Sequence, residues 1–323
     1  MRWACVSDPV NTSTAIVAII GAPNAGKSTL VNQIVGSKIA IVTQKVQTTR
    51  APLRGIAMRG SAQLVLIDTP GVFAPRRRLD RAMVRAAWGS AGDADSVVHL
   101  VDAPSQARSL AGKPDGADVR QVEDVERIVK GLKEASRTAI LALNKIDAMP
   151  HDALLGVAES LHGEGVYSDV FMISALTGDG VEDLARHIAD NAPEGPWLYP
   201  EDQAADAPVR VLAAEITREK IMLRLHDEIP YEIAVETDAW EEKKDGSVRI
   251  EQTIYVAREG HRKIAIGDKG QTIKTIGKLA REDMAVFLER PVHLFLHVKL
   301  KENWSEERAR YEAMGLDWDA SKE

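Results

Sequence analysis

Five short apolar runs punctuate the first two thirds of the chain, at residues 15–20, 64–67, 97–101, 139–143 and 170–173. Each spans four to six residues rich in Val, Ile or Leu, the composition of strands covered on both faces of a parallel sheet. Amphipathic stretches of helical period separate them, for example 122–135 and 181–188. This alternation predicts an α/β fold with a doubly wound, mostly parallel sheet. The polar stretch 103–120 reads as a surface loop leading into a helix. A Pro- and acid-rich segment, NAPEGPWLYPEDQAADAP at 191–208, then breaks the pattern and reads as an interdomain linker. Beyond it come an amphipathic segment over 209–225 and two strand-like runs at 231–240 and 247–257, separated by the turn residues Asp245 and Gly246. Two helical segments flank GDKG, and the alternating VHLFLHVKL closes the order α-β-β-α-α-β, a smaller α+β domain. The sequence WSEERARYEAMGLDW reads as an amphipathic helix started by Ser305. The expected organisation is a tail over 1–13, an α/β domain over 14–192, a linker over 193–208, an α+β domain over 209–300 and a C-terminal helix over 301–323.

Composition narrows the function classes. The single cysteine, Cys5, lies in the tail, which excludes an internal disulfide and fits a reducing, cytoplasmic setting. No Cys/His cluster suggests zinc, the apolar runs are too short to span a bilayer, and the N-terminus lacks the apolar stretch of a signal peptide. The formal charge of −7 over 323 residues, taken alone, argues against nucleic acid as the main partner.

The first apolar run leads directly into GAPNAGKS at 21–28, the pattern G-x-x-x-x-G-K-[ST]. Gly21, Pro23, Asn24, Ala25, Gly26, Lys27, Ser28 and Thr29 would form a phosphate cradle, because such a loop converges backbone N–H groups on an anion at a helix N-terminus. Lys27 would reach the β- and γ-phosphates, and Ser28 would ligate Mg²⁺. DTPG at 68–71 closes the second run, placing Asp68 to hold Mg²⁺ and the Gly71 N–H to contact the γ-phosphate. NKID at 144–147 closes the fourth: the Asp147 carboxylate suits guanine N1–H and N2–H₂, Asn144 would brace the loop, and Lys145 would pack its stem over the base. Adenine lacks those two donors and would leave the carboxylate unpaired. Ser174 and Ala175 follow the fifth run, with the Ala175 N–H a candidate donor to guanine O6. Thr48 and Thr49 are both candidates for a switch threonine that senses the γ-phosphate through Mg²⁺, Thr49 preferred. The constellation therefore predicts a GTP- and GDP-binding hydrolase whose catalytic set is Lys27, Thr49, Asp68 and Gly71.

These motifs resemble the translation-factor-like, ribosome-assembly GTPases. That resemblance implies the loss of the water-orienting glutamine after the DTxG glycine. The position is Val72 here, so intrinsic hydrolysis is expected to be slow and to need a partner or a monovalent cation. Asn24 matches the asparagine that potassium-activated relatives use for K⁺; a plain polar loop residue is the alternative.

In the second domain, Gly267, Asp268, Lys269 and Gly270 lie between two helical segments and match the GxxG loop of type II KH domains, which clamps single-stranded RNA. Ile264, Ile266, Ile273 and Ile276 are expected to hold the loop between core-facing helices. Residues 209–300 carry sixteen basic and sixteen acidic side chains, yet 258–281 carries seven basic residues against Glu259 and Asp268. Arg258, Arg262, Lys263, Lys269, Lys274 and Lys278 are the candidate phosphate contacts, since local field rather than net charge sets phosphate affinity. A GTPase domain followed by a type II KH domain resembles the bacterial Era GTPase family, over roughly 15–316. The resemblance implies binding of the 3′ end of 16S rRNA, a role in 30S subunit assembly, and peripheral contact with the inner membrane; no obligate oligomer is expected. The longer polar loop after Ala103 and the N-terminal tail depart from the family pattern.

Other features carry less. His293 and His297 are expected to face outward from the last strand as surface residues rather than metal ligands. Arg76, Arg77, Arg78, Arg81 and Arg85 read as a mobile solvated loop, and Trp304 and Trp318 as packing onto a domain surface. An RNA-binding scaffold with vestigial nucleotide binding and an ATP-dependent small-molecule kinase are the competing classes. The intact Lys27, Ser28 and Asp68 oppose the first, and NKID opposes the second.

Overall fold

The computed structural model describes residues 12–43, 45, 48–50, 52–75, 77–225, 232–302, 307–308, 311 and 316–319. The expectations for the N-terminal tail with Cys5, for Arg76, for Trp304 and for the helix start at Ser305 lie outside the described residues. The chain divides into two compact units.

The first unit contains a six-stranded sheet in the order β2-β3-β1-β4-β5-β6. Its strands are β1 (Ser13–Gly21), β2 (Leu53–Arg59), β3 (Ala62–Asp68), β4 (Ser96–Asp102), β5 (Ala139–Asn144) and β6 (Tyr167–Met172). Four of the five apolar runs lie wholly on strands and the fifth, 170–173, runs one residue past β6; every neighbouring pair is parallel except β2 with β3. β2 had no counterpart among the expected strands: LRGIAMR carries Arg54, Gly55 and Arg59 where a run of apolar residues would have marked it. An edge strand tolerates this because a single neighbour supplies its ladder. The 191–208 stretch forms neither helix nor strand, but it does not hang free. The Ile56 N–H donates to the Ala204 carbonyl at 2.9 Å, and the Asp206 N–H to Arg54 at 3.0 Å. The Trp197 indole donates to the Ser61 carbonyl at 2.9 Å. The strap covers an edge that would otherwise expose unpaired backbone.

Helices α1 (Lys27–Val35), α2 (Arg78–Asp93), α3 (Ala103–Leu110), α4 (Gly116–Glu134), α5 (His151–His162) and α6 (Val181–Asp190) join the strands. The 103–120 stretch is therefore not a loop. Asp102 caps α3 by accepting from the Ser105 N–H at 3.1 Å, and Asp115 with Asp118 forms a capping box on α4. Arg108 grips Asp118 and holds that carboxyl well below the usual carboxylate range, chiefly by hydrogen bonding. The polar sequence concealed α3 because its buried side is itself polar, with Ser105 and Gln106 inside.

The second unit centres on a three-stranded sheet, β7-β8-β9, in which β7 (Ile233–Glu242) is antiparallel to β8 (Val248–Val256) and β8 parallel to β9 (Val292–Leu300). Helices α7 (Val209–Arg224) and α9 (Gln271–Phe287) pack on it through two clusters. One joins Ile221, Ile254 and Ile276 and the other Ile216, Ile250 and Met284. With α8 (Glu259–Ile266) the order is the expected α-β-β-α-α-β. His293 and His297 are exposed on β9, and no group of three or more metal-ligating side chains occurs among the described residues. Ile264 corrects one expectation: it is 49% exposed while Ala265 is buried. A two-turn helix that ends at Gly267 has only a narrow inward stripe, and Ala265 occupies it.

Two segments from between first-unit elements, Lys38–Pro52 and Pro75–Ala86, belong to the second unit. Buried Glu219 of α7 accepts from the Val42 N–H at 3.0 Å and from Lys38 Nζ at 2.6 Å. Arg218 donates to the Thr48 carbonyl, and Arg50 to the Ile233 carbonyl at 2.7 Å. Three of the arginines expected in a mobile loop lie instead on a helix. Arg78, Arg81 and Arg85 lie on α2, and Arg78 stacks 3.5 Å from the Trp318 ring centroid. Leu79, Ala82 and Met83 pack with Tyr311 and Leu316, an apolar anchor that the arginine run hid.

Candidate functional site

β1 ends at Gly21 and α1 begins at Lys27, so residues 22–26 turn around an open helix N-terminus. Gly26 sits at φ +105°, and a Cβ there would collide with the Asn144 amide; glycine is the residue this close approach admits. Lys27 is buried, and its ammonium donates to the Gly21 and Ala22 carbonyls at 3.1 and 2.9 Å. Burial lowers its pKa to about 8, with the Asp68 and Asp124 charges opposing that shift. Ser28 donates to Asp68 Oδ2 at 2.7 Å across from the end of β3. A hydroxyl beside a buried carboxylate is a hard-oxygen donor set of the kind Mg²⁺ takes. Thr29 continues the first turn of α1, Pro23 and Ala25 are buried, and Asn24 is exposed at φ 63°. Gly71 lies against Pro23, and the next residue, Val72, is fully buried with its N–H donated to the Gly21 carbonyl at 3.1 Å.

The base-reading motifs meet the same loop from β5. Asn144 is buried; its amide donates to the Ala25 carbonyl at 2.7 Å and accepts from the Ala175 N–H at 2.9 Å. It thus ties the phosphate loop to the 174–177 turn, which Ser174 braces by accepting from the Thr177 N–H at 3.1 Å. The Ala175 N–H, expected to be open for a ligand oxygen, is directed at Asn144. Lys145 adopts φ 69° and pairs with Asp102, and Asp147 stands exposed on the short helical turn Ile146–Ala148. Thr49 is described within the second unit.

Three contributors escaped the sequence. Gln121 of α4 donates to the Pro23 carbonyl, Asp124 of α4 acts on the Lys27 charge, and Asp102 holds Lys145. Gln121 falls just before the expected helical stretch 122–135 and Asp124 falls inside it, but nothing local in the sequence links either to the phosphate loop. His99, on β4, meets the Tyr167 hydroxyl at 2.8 Å and is pushed down to about 3 by burial and then by the Lys27 charge.

In the second unit the GDKG residues form one tight turn between α8 and α9, with Lys269 at φ 46°. A Cβ on Gly267 would collide with Thr272 Oγ1, so the loop closes only on glycine. Asp268 and Lys269 are exposed, as are Arg258, Arg262 and Lys263 on one side and Lys274 and Lys278 on the other. Consecutive elements bring this set together, with exposed Ile264 among it.

Two family models match: the 50S ribosome-binding GTPase family over residues 16–145 and the KH domain over 228–305. The GTPase Era of Caulobacter vibrioides (strain NA1000 / CB15N) is 61% identical over 308 residues, covering 95% of this chain and 98% of the relative. That of Maricaulis maris is 54% identical over 302 residues, covering 94% and 96%. The chain belongs to the Era GTPase family. It is accordingly a GTP-hydrolysing enzyme, with a P-loop GTPase domain followed by a KH domain. A point variant of Aquifex aeolicus Era bound to GDP·AlF₄⁻ superposes with a TM-score of 0.84 at 34% identity, covering 94% of this chain and 99% of that one. A structure of Era with MgGDPNP and nucleotides 1506–1542 of 16S rRNA gives 0.83 at the same identity and coverage. No described helix of this Era-family chain is long and apolar enough to cross a membrane.

Proposed function

We propose that the chain is a GTP-driven switch that grips the 3′ end of 16S rRNA through its KH domain and acts in assembly of the 30S subunit. One observation carries the reading: a nucleotide-type loop braced by Asn144 and an exposed GxxG turn flanked by cations occur in one chain. Its relative of 34% identity was solved with both MgGDPNP and 16S nucleotides. The first family model's description names the 50S particle, but it covers the GTPase part alone. The relative's 16S fragment favours the small subunit.

In this reading Gly21, Pro23, Asn24, Ala25, Gly26, Lys27, Ser28 and Thr29 bind the phosphates, and Lys145 and Asp147 bind guanine beside a turn braced by Asn144, Ser174 and Ala175. Water attacks the γ-phosphorus while the Lys27 ammonium and the loop amides stabilise charge on the departing β–γ bridge oxygen. Ser28 and Asp68, with Thr49, would hold Mg²⁺, which neutralises phosphate charge when bound. Gly71 senses the γ-phosphate. Val72 offers no polar atom to the attacking water, so turnover is slow unless a partner, or K⁺ held by Asn24, assists. Gly267, Asp268, Lys269 and Gly270 clamp the RNA backbone while Arg258, Arg262, Lys263, Lys274 and Lys278 supply phosphate contacts. The working compartment is the cytoplasm, and the family resemblance adds peripheral contact with the inner membrane.

GTPase rates measured with and without a 16S 3′-terminal RNA, in K⁺ and in Na⁺, test the reading. RNA is expected to change the rate or nucleotide affinity, Na⁺ to lower the rate, and Gly270→Asp to abolish crosslinking to the rRNA 3′ end. Rates indifferent to RNA, together with an intact footprint in the variant, reject it.

A further inference from the structure

We infer that Asp102 is a positioning residue for the guanine base, anchoring the Lys145 ammonium so that the lysine stem is held at the base-reading loop. The inference rests on the proposed reading of Lys145 and Asp147 as the base-contacting residues.

Asp102 ends β4 and Asn144 ends β5, and the two face each other in register. Lys145 follows in the left-handed region at φ 69°, which turns its side chain back towards the neighbouring strand end. Its Nζ lies 2.5 Å from Asp102 Oδ2. The other oxygen, Oδ1, accepts from the Ser105 N–H at 3.1 Å and caps α3. A helix cap needs one acceptor, and this carboxylate uses both oxygens. The pair is also asymmetric, with side-chain exposure of 11% for Asp102 and 37% for Lys145. The carboxylate is fixed at the sheet end while the lysine side chain stays partly exposed.

A free lysine populates many rotamers, and holding one against a flat ligand costs entropy at the moment of binding. Tying Nζ down beforehand removes much of that cost. It leaves the four methylenes as a fixed apolar surface for the face of a purine, and it keeps the ammonium directed at Asp102. A face contact does not read the base edge, so Asp102 affects guanine and hypoxanthine nucleotides alike, whereas Asp147 distinguishes them through the 2-amino group.

Asp102→Asn is the direct variant. A carboxamide has one acceptor oxygen, enough for the α3 cap, and loses the charge that holds Lys145. Asp102→Ser, another good cap without charge, is the second variant should the first fold poorly. Dissociation constants for GDP and IDP are measured for both, for Lys145→Met and for the Asp102→Asn/Lys145→Met double variant. The expected result is the same loss for GDP and IDP, about three- to tenfold, with KM for GTP raised and kcat retained. The double variant is expected to be no weaker than Lys145→Met alone. Unchanged affinity in both Asp102 variants overturns the inference. So does a loss that persists in full on the Lys145→Met background, which would route the effect through α3. Asp147→Asn tests the underlying base reading separately. Its amide NH₂ faces the C2 carbonyl of xanthine, so preference is expected to move from GDP to XDP. A retained GDP preference removes the base reading, whatever Asp102 does.

Discussion

Replacing Asn144 by alanine removes two hydrogen bonds that join separate parts of the nucleotide site. The Ala25 carbonyl loses its donor at 2.7 Å and the Ala175 N–H its acceptor at 2.9 Å, in a side chain that is 2% exposed. Each buried backbone group left without a partner costs about 1–3 kcal/mol. Water entering the space vacated by the amide offsets part of this, so a total of about 2–4 kcal/mol is expected. That free energy divides between folding and ligand affinity. Taken wholly as affinity, it corresponds to about a 30- to 900-fold rise in the GDP dissociation constant. Taken wholly as stability, it lowers Tm by about 4–16 °C for a domain of this size. Calorimetric titration with GDP and thermal melts of the ligand-free protein, read together, give the sum. Asn144→Asp adds a sign: it keeps an acceptor for Ala175 but sets a carboxylate oxygen against the Ala25 carbonyl, and should bind GDP no better than the alanine variant. If Asn144→Ala shifts the dissociation constant by less than about threefold and Tm by less than about 2 °C, the bracing role is wrong.

Lys27 titrates near 8 in the ligand-free fold against 10.5 for an ordinary lysine. A bound phosphate favours its charged form, so GDP binding should take up about half a proton at pH 8 and weaken as pH rises to 9. Titration calorimetry in buffers of different ionisation enthalpy reads this directly, and absence of proton uptake refutes it. For stability the sign is opposite: between pH 8 and 10.5 the unfolded chain binds more protons, so the ligand-free protein gains stability through that window. Glu219→Ala removes the acceptor for the Val42 N–H and the partner of Lys38. Amide exchange at residues 38–43 should accelerate about fivefold or more, since a buried charge-assisted bond contributes about 1.5–3 kcal/mol. Unchanged protection means the segment is held by something else.

What the sequence disclosed and what it withheld divides by range. β1, β3, β4 and β5 were legible because a strand covered on both faces needs a continuous apolar run, β6 was legible from its shorter Val170–Met172 run although it is a half-buried edge strand, and the phosphate and base motifs followed at the strand ends. β2 was illegible because its partners are β3 and the distant Ala204–Asp206 strap, neither of which marks LRGIAMR. α3 was illegible because its buried side takes Ser105 and Gln106 and its start depends on the Asp102 carboxylate. The same holds within the site. GAPNAGKS and NKID are local patterns, whereas Gln121 reaching Pro23 and Asp102 reaching Lys145 join residues 98 and 43 positions apart. No periodicity in a single sequence encodes such a pairing.

The acidic net charge misleads about RNA for a related reason. Several cations of the 258–281 window have carboxylate neighbours: Arg262 with Glu259 at 3.4 Å, Lys278 with Glu282 at 3.9 Å, and Arg258 with Glu232 at 3.8 Å. The first two pairs are exposed on both sides, the class that contributes about 0–1 kcal/mol each. An RNA phosphate can therefore displace the carboxylate at small cost, releasing its own counterions as it does so. Most of the remaining acidic charge lies outside this window, and at about 0.15 M salt charges more than ~8 Å away are largely screened. A chain of charge −7 can thus present a cationic loop to RNA, because the balance that matters is struck among the residues flanking Gly267 and Gly270, not over the whole molecule.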